Sequence, residues 1–209
     1  AIFSSRQTAE CMREVLPELN IIWCPEAVDG SVYSIGKRLT ERRIDLLEFG
    51  RSNAQVFDAE RLHRLAVAGN ELRHVCTRQG GKFIYTNEQL REAMADARVT
   101  IALPRSMTQP EVAGDVETLT QRYWECMFSR IVMVGHAPRE LVDFVGYNPV
   151  VELREGLPAE ELILNVLAHL GDYQDLVDKN WEMAMRLGTW DVRMRWLMEK
   201  LSAQYEISF

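Results

Sequence analysis

Short apolar runs alternate with amphipathic segments along most of the chain, and each pattern predicts its own kind of element. The runs predict strands at 20–24, 44–49, 72–76, 82–85, 99–103, 131–135 and 150–153. Several of them are continuously apolar, as is typical of parallel strands buried on both faces. Segments with apolar positions at helical spacing predict helices at 5–16, 58–69, 87–97, 119–130 and 137–144. Strands separated by single helices favour right-handed crossovers, and therefore an α/β, Rossmann-like, doubly wound parallel sheet.

The pattern changes at Pro158. Beyond this residue the apolar positions recur at helical spacing only, so residues 158–209 predict a C-terminal helical tail. Near the other end of the chain, residues 25–43 are polar and rich in turn formers, which indicates a linker into the first strong strand. The tail contains tryptophans that we expect to be packed: Trp181, Trp190 and Trp196.

Two of the helix starts carry side-chain capping signals. Thr86 or Asn87 can cap the helix that follows, and Gln89 is placed to close a capping box on Thr86. Thr118 and Gln121 have the same spacing, so the next helix is expected to begin at Leu119.

Charge and composition narrow the class of function. The chain has 209 residues and a formal net charge of −7, so its surface as a whole has no bias toward nucleic acid. No apolar run approaches the roughly 20 residues of a membrane span, and the first residues do not form a signal peptide pattern. The cysteines are scattered and the histidines form no metal pattern, which favours a reduced, cytoplasmic chain without a metal. Any anion site must therefore be local.

The most informative loop precedes the helix predicted at 119–130. Open parallel sheets bind ligands beyond the carboxyl ends of their strands, and residues 104–120 form a long loop at such an end. The first amides of the following helix and its positive dipole end would favour an anion there. Glu125 lies six residues inside the helix, about 9 Å along the axis, which is comparable with the span from a diphosphate to the ribose of a nucleotide.

These residues resemble a known family. Glu117, seven residues and Glu125 form the E-x7-E pattern of retaining nucleotide-sugar glycosyltransferases, which belongs to the C-terminal, donor-binding half of the two-domain GT-B fold. The sequences VTIALPRS, WECM and LEFGRS resemble the strand before the motif, its Glu-Ala-Met step and the Gly-Arg turn that meets the diphosphate. The resemblance covers residues 21–155 and is closest to the bacterial CgeB-like group.

The resemblance implies an organisation and an activity. Residues 1–30 would be a remnant helix and linker after an acceptor-binding domain, 31–157 the nucleotide-sugar-binding domain, and 158–209 helices packed on it. The reaction implied is retaining hexosyl transfer from a donor such as a UDP-sugar, without metal or cofactor, to a sugar or glycan acceptor held by another domain. The chain alone would then be inactive. Its location would be cytoplasmic, or at the inner membrane face through the missing domain.

The family pattern also implies roles for individual residues. Glu117 would face the transferred sugar, and Arg51 would stabilise the departing diphosphate. Glu125 would accept hydrogen bonds from the ribose, and Tyr85 would border the base. The other donor-binding positions are expected to supply backbone amides or a substituting charge: Thr118, Leu119, Thr120 and Arg105.

The sequence departs from the family at several positions. Leu119-Thr120 stands where Phe-Gly is usual, Arg130 stands where a small residue is usual, and the lysine expected after the Gly-Arg turn is absent. Arg105 or Arg122 would have to replace that lysine.

Other interpretations stay open beside the transferase. His136 is interpreted as a loop histidine bonded to backbone in preference to a general base. A Rossmann dehydrogenase is disfavoured because EFGRSN offers one glycine where a G-x-G-x-x-G turn is required. The alternatives are a nucleotide-sugar-binding half-domain that is inactive alone, and another Rossmann-type nucleotide-binding enzyme.

Overall fold

The structure of the protein is a computed structural model that describes residues 1–51, 55–66, 72–79, 82–83 and 85–205. Its strands are β1 (Ile2–Phe3), β2 (Ile22–Trp23), β3 (Ile44–Glu48), β4 (His74–Cys76), β5 (Arg78–Gln79), β6 (Lys82–Phe83), β7 (Ala97–Ala102), β8 (Val132–Gly135) and β9 (Val151–Glu152). Its helices are α1 (Arg6–Val15), α2 (Ala59–Leu65), α3 (Asn87–Asp96), α4 (Arg105–Thr108), α5 (Pro110–Ala113), α6 (Gln121–Phe128), α7 (Arg139–Val145), α8 (Ala159–Ala168), α9 (Gln174–Leu187) and α10 (Trp190–Tyr205).

The main sheet has five parallel strands in the order β4-β3-β7-β8-β9. The chain adds β4 on one side of β3 and then returns to the other side with β7, so the strand order reverses between β3 and β7. In open α/β sheets this reversal leaves a crevice at the carboxyl ends of the two strands. The predicted doubly wound parallel fold is confirmed.

Helices cover both faces of this sheet. Val132 and Val134 of β8 belong to the core shared with α2 and α8, whereas Met133 belongs to the core shared with α3, α6 and α7. This alternation is expected of a strand buried on both sides. On the second face, α6 contributes fully buried Tyr123 and Trp124, and their burial fixes the helix over the sheet.

Two of the predicted strands form outside the main sheet. β2 pairs in parallel with β1 as a separate two-stranded sheet, and β6 pairs antiparallel with β5. Residue 84 of the predicted strand lies outside the described residues. An apolar run does not specify which strand it pairs with, and β6 follows β5 closely enough in the chain for a local hairpin to form instead.

The segment predicted as a linker, residues 25–43, is packed against the rest of the protein. Val28 forms a parallel β-bridge with Thr189 at the start of the last helix. The buried guanidinium of Arg42 donates hydrogen bonds to three main-chain carbonyl groups. These contacts hold the segment in place where it reaches the functional site described below.

The helical tail beyond Pro158 is confirmed as α8, α9 and α10. Trp196 packs edge-on against Trp23, with ring centroids 6.1 Å apart. Trp190 is 41% exposed, so its predicted packing is wrong: it is the first residue of α10, where one side of the residue faces solvent. Within the described part of the chain, no helix combines the length and the apolar character that crossing a membrane requires.

Candidate functional site

A cleft of about 380 Å³ lies beyond the carboxyl ends of β3 and β7, where the strand order reverses. Its charged lining consists of four arginines and two glutamates: Arg51, Arg78, Arg105, Arg122, Glu26 and Glu125. The lining therefore has an excess of two positive charges, although the formal net charge of the whole chain is −7. We call this site the arginine cleft. Its position and sign suit an anionic ligand.

Helix α6 begins at the edge of the arginine cleft, two residues later than predicted. Its N-cap is Thr120, whose side chain makes no capping hydrogen bond, so the predicted capping box of Thr118 and Gln121 is wrong. The Gln121 amide instead donates to Glu26 Oε2 at 3.0 Å. A carboxylate is favourable at the positive end of a helix, and this distant residue replaces the local cap.

The Leu119 amide, which was expected to face a phosphate, is used within the protein. Leu119 is fully buried, and its N–H donates to Oε1 of Glu140. The other oxygen of Glu140 accepts from the Arg6 amide at 2.9 Å. Burial raises the pKa of Glu140, and the hydrogen bonds from the two amides oppose that shift. Glu140 thus anchors the segment that leads into α6.

Arg122 holds the turn that follows β3. Its guanidinium lies 5.0 Å from the ring centroid of Phe49 and donates from Nη1 to the Arg51 carbonyl at 3.3 Å. Burial lowers the pKa of Arg122, and neighbouring Arg51 contributes in the same direction. Since an arginine stays protonated even when its pKa falls, the cleft keeps this positive charge.

The other three arginines of the cleft have exposed side chains. Arg105, in the short helix α4, donates from Nε to the Gln109 side chain at 3.2 Å. Within the described part of the chain, Arg51, Arg78 and Arg105 form no ion pair with a carboxylate. Their charges are therefore accessible to a ligand. The loop that carries Arg105 contains two helical turns, α4 and α5, which its sequence pattern did not reveal.

Glu125 lines the arginine cleft from the middle of α6. Its Oε1 accepts a hydrogen bond from the Tyr33 hydroxyl at 2.9 Å, and the Tyr33 ring stacks on Phe128 at 6.0 Å between centroids. Burial raises the pKa of Tyr33, and the charge of Glu125 adds to the shift, so the phenol stays a donor. Tyr33 was not predicted, because it lies 92 positions from Glu125 in a polar segment without a motif.

Of the three remaining predicted donor-binding residues, one lines the arginine cleft and two do not. Thr120 lines the arginine cleft. Thr118 lies half-buried in the irregular segment before α6 and is not among the lining residues. Tyr85 follows β6, is half-buried and also lies outside the cleft lining in the described structure.

Glu117 lies in a second cleft, bordered by the same segment that leads into α6. This cleft measures about 510 Å³, and we call it the Glu117 cleft; its lining includes Arg6, Gln7, Glu117 and Arg139. Glu117 Oε1 lies 2.7 Å from His136 Nε2, and Oε2 accepts from the Arg139 amide at 3.1 Å. The structure therefore places Arg51 and Glu125 in one cleft and Glu117 in the next.

His136 lies between two carboxylates, so the interpretation of its ring as bonded to backbone is wrong. Its Nδ1 is 3.0 Å from Glu152 Oε2, opposite the contact of Nε2 with Glu117. The second oxygen of Glu152 accepts from the Ala137 amide at 2.8 Å. The backbone of His136 is held separately, by the Tyr123 hydroxyl donating to its carbonyl at 2.7 Å. No group of three potential ligand side chains among the described residues could hold a metal ion.

Comparison with known proteins identifies the fold. No protein-family model and no curated protein matches the sequence. Sucrose-phosphate synthase from Thermosynechococcus elongatus matches with a TM-score of 0.60 and 16% identity, over 97% of this chain and 58% of that chain. AviGT4, a glycosyltransferase involved in avilamycin A biosynthesis, matches with a TM-score of 0.55 and 16% identity, over 97% of this chain and 63% of that chain.

The fold of this chain resembles that of part of these two GT-B glycosyltransferases. At 16% identity the two comparisons show the fold alone, and this chain spans about 58% and 63% of the length of the two proteins. The Rossmann-like sheet expected of a GT-B half is therefore confirmed. The E-x7-E motif and the CgeB-like grouping stay predictions.

Proposed function

We propose that the arginine cleft binds the diphosphate of a nucleotide-diphospho-sugar, and that the chain is the donor-binding part of a retaining glycosyltransferase. One observation carries the proposal: accessible arginines, the start of α6 and the carboxylate of Glu125 converge on a single cleft at the reversal of the strand order. Guanidinium groups match pairs of phosphate oxygens. Glu125 lies four residues into α6 from Gln121, about 6 Å along the axis, where a carboxylate can accept from ribose hydroxyls.

The proposed orientation follows from the lining. The diphosphate lies against Arg51, Arg105 and Arg122, and the ribose lies against Glu125, which Tyr33 orients. The base then extends toward Arg78, at the start of the β5–β6 hairpin. A planar guanidinium stacks well on an aromatic ring, so this end of the cleft suits a nucleobase.

The proposed chemistry is electrostatic. Charge accumulates on the diphosphate as the bond to the sugar breaks, and fixed positive groups that stabilise this charge lower the barrier. Arg51 and Arg122 are the residues proposed for this role. The sugar would extend along the segment before α6 toward Glu117, and the reaction would proceed with retention. The excess of two positive charges in the cleft matches a diphosphate, so the proposal requires no metal.

Binding is tested by a thermal-shift panel of nucleoside diphosphates and diphospho-sugars, followed by calorimetry of the best ligand. A ligand at 100 times its Kd should add about 2.7 kcal/mol of stability. The change Arg51→Ala should weaken binding by about 1.5–3 kcal/mol, the range for hydrogen bonds to charged groups. The matched control is Arg186→Ala, which removes the same charge from the exposed side of α9.

Two results would contradict the proposal. If no nucleoside diphosphate in the panel binds, the cleft is not a donor site. If the parent and Arg51→Ala bind the best ligand with equal affinity, Arg51 does not contact the diphosphate. Calorimetry with Mg²⁺ and with EDTA should give the same affinity, and a ligand that binds only with Mg²⁺ would contradict the metal-free site.

Transfer is a separate proposal, because the acceptor is expected to be held by another domain. The two structural neighbours have a longer chain than this one, of which it covers 58% and 63%. We therefore expect this chain to bind the donor and to transfer little or no sugar by itself. Robust transfer to a soluble sugar acceptor by the purified chain would contradict that expectation while leaving the donor site intact.

A further inference from the structure

Glu26 places a carboxylate at the point where the proposed diphosphate would meet α6. Its Oε2 accepts from the Gln121 amide, the first amide of the helix, at 3.0 Å. The same side chain lines the arginine cleft. Within the described residues Glu26 forms no ion pair with any arginine of the cleft. The helix start therefore holds this carboxylate while the guanidinium groups stay available.

The backbone of Glu26 is fixed independently of its side chain. Its carbonyl accepts from Trp124 Nε1 at 2.9 Å, and Trp124 is fully buried in α6. Two residues further on, the Val28 amide donates to the Gly188 carbonyl at 2.9 Å. The carboxylate is thus tethered beside the helix start, and rotation about its own side-chain bonds can move it without disturbing the fold.

We infer that Glu26 is a built-in competitor of the diphosphate at the start of α6, an inference that rests on the proposed function. The Gln121 amide has one hydrogen to donate, so the carboxylate and a phosphate oxygen cannot both accept from it at full strength. Two anions beside the same amide also repel one another. Binding of the diphosphate therefore requires the Glu26 side chain to turn away, and affinity is lower than the arginines alone would give.

Competition by charge predicts a graded response to the number of phosphates. The variant Glu26→Gln keeps an oxygen that can accept from the Gln121 amide and removes the negative charge. It should bind a nucleoside diphosphate about three to ten times more tightly than the parent, as expected for one unfavourable charge contact in a solvent-accessible cleft. The gain should be smaller for the monophosphate and absent for the nucleoside.

The experiment is calorimetry of the parent and Glu26→Gln with uridine, UMP, UDP, GDP and inorganic pyrophosphate. Pyrophosphate is the probe that does not depend on the identity of the base. The control is Glu199→Gln, which removes one charge from the exposed surface of α10 and should leave every affinity unchanged. Unfolding curves of both variants show whether the fold is retained.

The outcomes separate this inference from the proposed function. If Glu26→Gln binds phosphates no more tightly than the parent, or if it binds them more weakly because Glu26 accepts from a ligand hydroxyl, the inference is wrong. If pyrophosphate binds Glu26→Gln more tightly than the parent while no nucleoside diphosphate binds either protein, Glu26 competes with phosphate as inferred, but the cleft is not a nucleotide site. If neither protein binds any phosphate, both are wrong.

Discussion

The guanidinium of Arg122 occupies the space beside Gly50 that a side chain would need. A Cβ at residue 50 would lie 1.3 Å from Arg122 Nη2, and Gly50 itself has a φ of +75°. Two requirements for glycine therefore coincide at this turn: left-handed backbone, and contact with an arginine of the cleft. The contact links the end of β3 to the first turn of α6, so the positions of Arg51 and Arg122 depend on each other.

Replacing Gly50 should damage both stability and binding. Gly50→Ala forces a side chain into the left-handed region, at a cost of about 1 kcal/mol, and also displaces the Arg122 guanidinium. We expect a loss of more than about 1 kcal/mol in the free energy of unfolding and weaker binding of the diphosphate. Urea denaturation and calorimetry measure the two effects.

Gly146 offers a matched control for that substitution. It has a φ of +82°, and no atom lies within 4 Å of the position where its Cβ would stand. Gly146→Ala should therefore carry the backbone strain alone and leave ligand affinity unchanged. If both alanine variants lose the same stability and bind the ligand equally well, the Arg122 contact has no role at the site.

Glu125 and Tyr33 should act as one unit in binding the ribose. Glu125→Gln should weaken the binding of a nucleoside diphosphate by about 1.5–3 kcal/mol. The binding of inorganic pyrophosphate should be unaffected, because pyrophosphate carries no ribose. Tyr33→Phe keeps the ring stacked on Phe128 but removes the hydroxyl that orients Glu125, so its effect should be smaller and in the same direction.

A double-mutant cycle tests the coupling between these two residues. Because Tyr33 is proposed to act through Glu125, the double variant should bind about as weakly as Glu125→Gln alone. Strictly additive losses would show that Tyr33 contacts the ligand by itself. If Glu125→Gln loses as much affinity for pyrophosphate as for the nucleoside diphosphate, Glu125 contacts the phosphates instead of the ribose.

Arg130 adopts a conformation that favours glycine. Its φ is 52°, the one positive value among the described residues that are not glycine, and its side chain pairs with Asp178. Arg130→Gly loses the ion pair and relieves the strain, whereas Arg130→Ala loses the ion pair and keeps the strain. The glycine variant should therefore be more stable than the alanine variant by about 1 kcal/mol, as measured by urea denaturation.

Asp178→Ala serves as the control, since it removes the ion pair without changing the backbone at residue 130. If Arg130→Ala and Arg130→Gly are equally stable, the left-handed backbone at this position costs nothing measurable. The strain at Arg130 also gives a physical reason for the small residue that the resembled family usually has there.

The sequence was most informative where local patterns decide the structure. The short apolar runs predicted all five strands of the main sheet, and the Thr86–Gln89 capping box forms as expected. Such signals lie within a few residues of the feature they specify. The capping box at Thr118 had equal local support and failed, because Glu26 lies 95 positions from Gln121 and supplies the acceptor instead.

The contacts that build the site are mostly long-range. Tyr33 reaches Glu125 across 92 positions, and Arg122 reaches the Arg51 carbonyl across 71. Neither contact corresponds to a periodic pattern or a motif in the sequence, because each depends on how whole helices and strands pack together. The sequence thus indicated Arg51 and Glu125, which line the arginine cleft, whereas the side chains that contact them required the structure.

Glu117 lies outside the arginine cleft, in the Glu117 cleft. Its carboxylate is held by His136 and the Arg139 amide in the Glu117 cleft, and the segment from Glu117 to Gln121 borders both clefts. A sugar attached to a diphosphate in the arginine cleft would have to follow this segment to reach Glu117. Glu117→Gln should therefore leave the affinity for the bare diphosphate unchanged and lower the affinity for the diphospho-sugar.

Calorimetry with a diphosphate and with its diphospho-sugar tests this separation, and Glu125→Gln is the comparison because it should weaken both ligands. In a protein that also contains the acceptor-binding domain, Glu117→Gln should lower kcat more than affinity, as expected for a contact made mainly in the transition state. Equal weakening of both ligands by Glu117→Gln would place Glu117 at the diphosphate. No effect on either ligand, and none on kcat, would leave Glu117 as a partner of His136 alone, and the eight-residue spacing to Glu125 as coincidence.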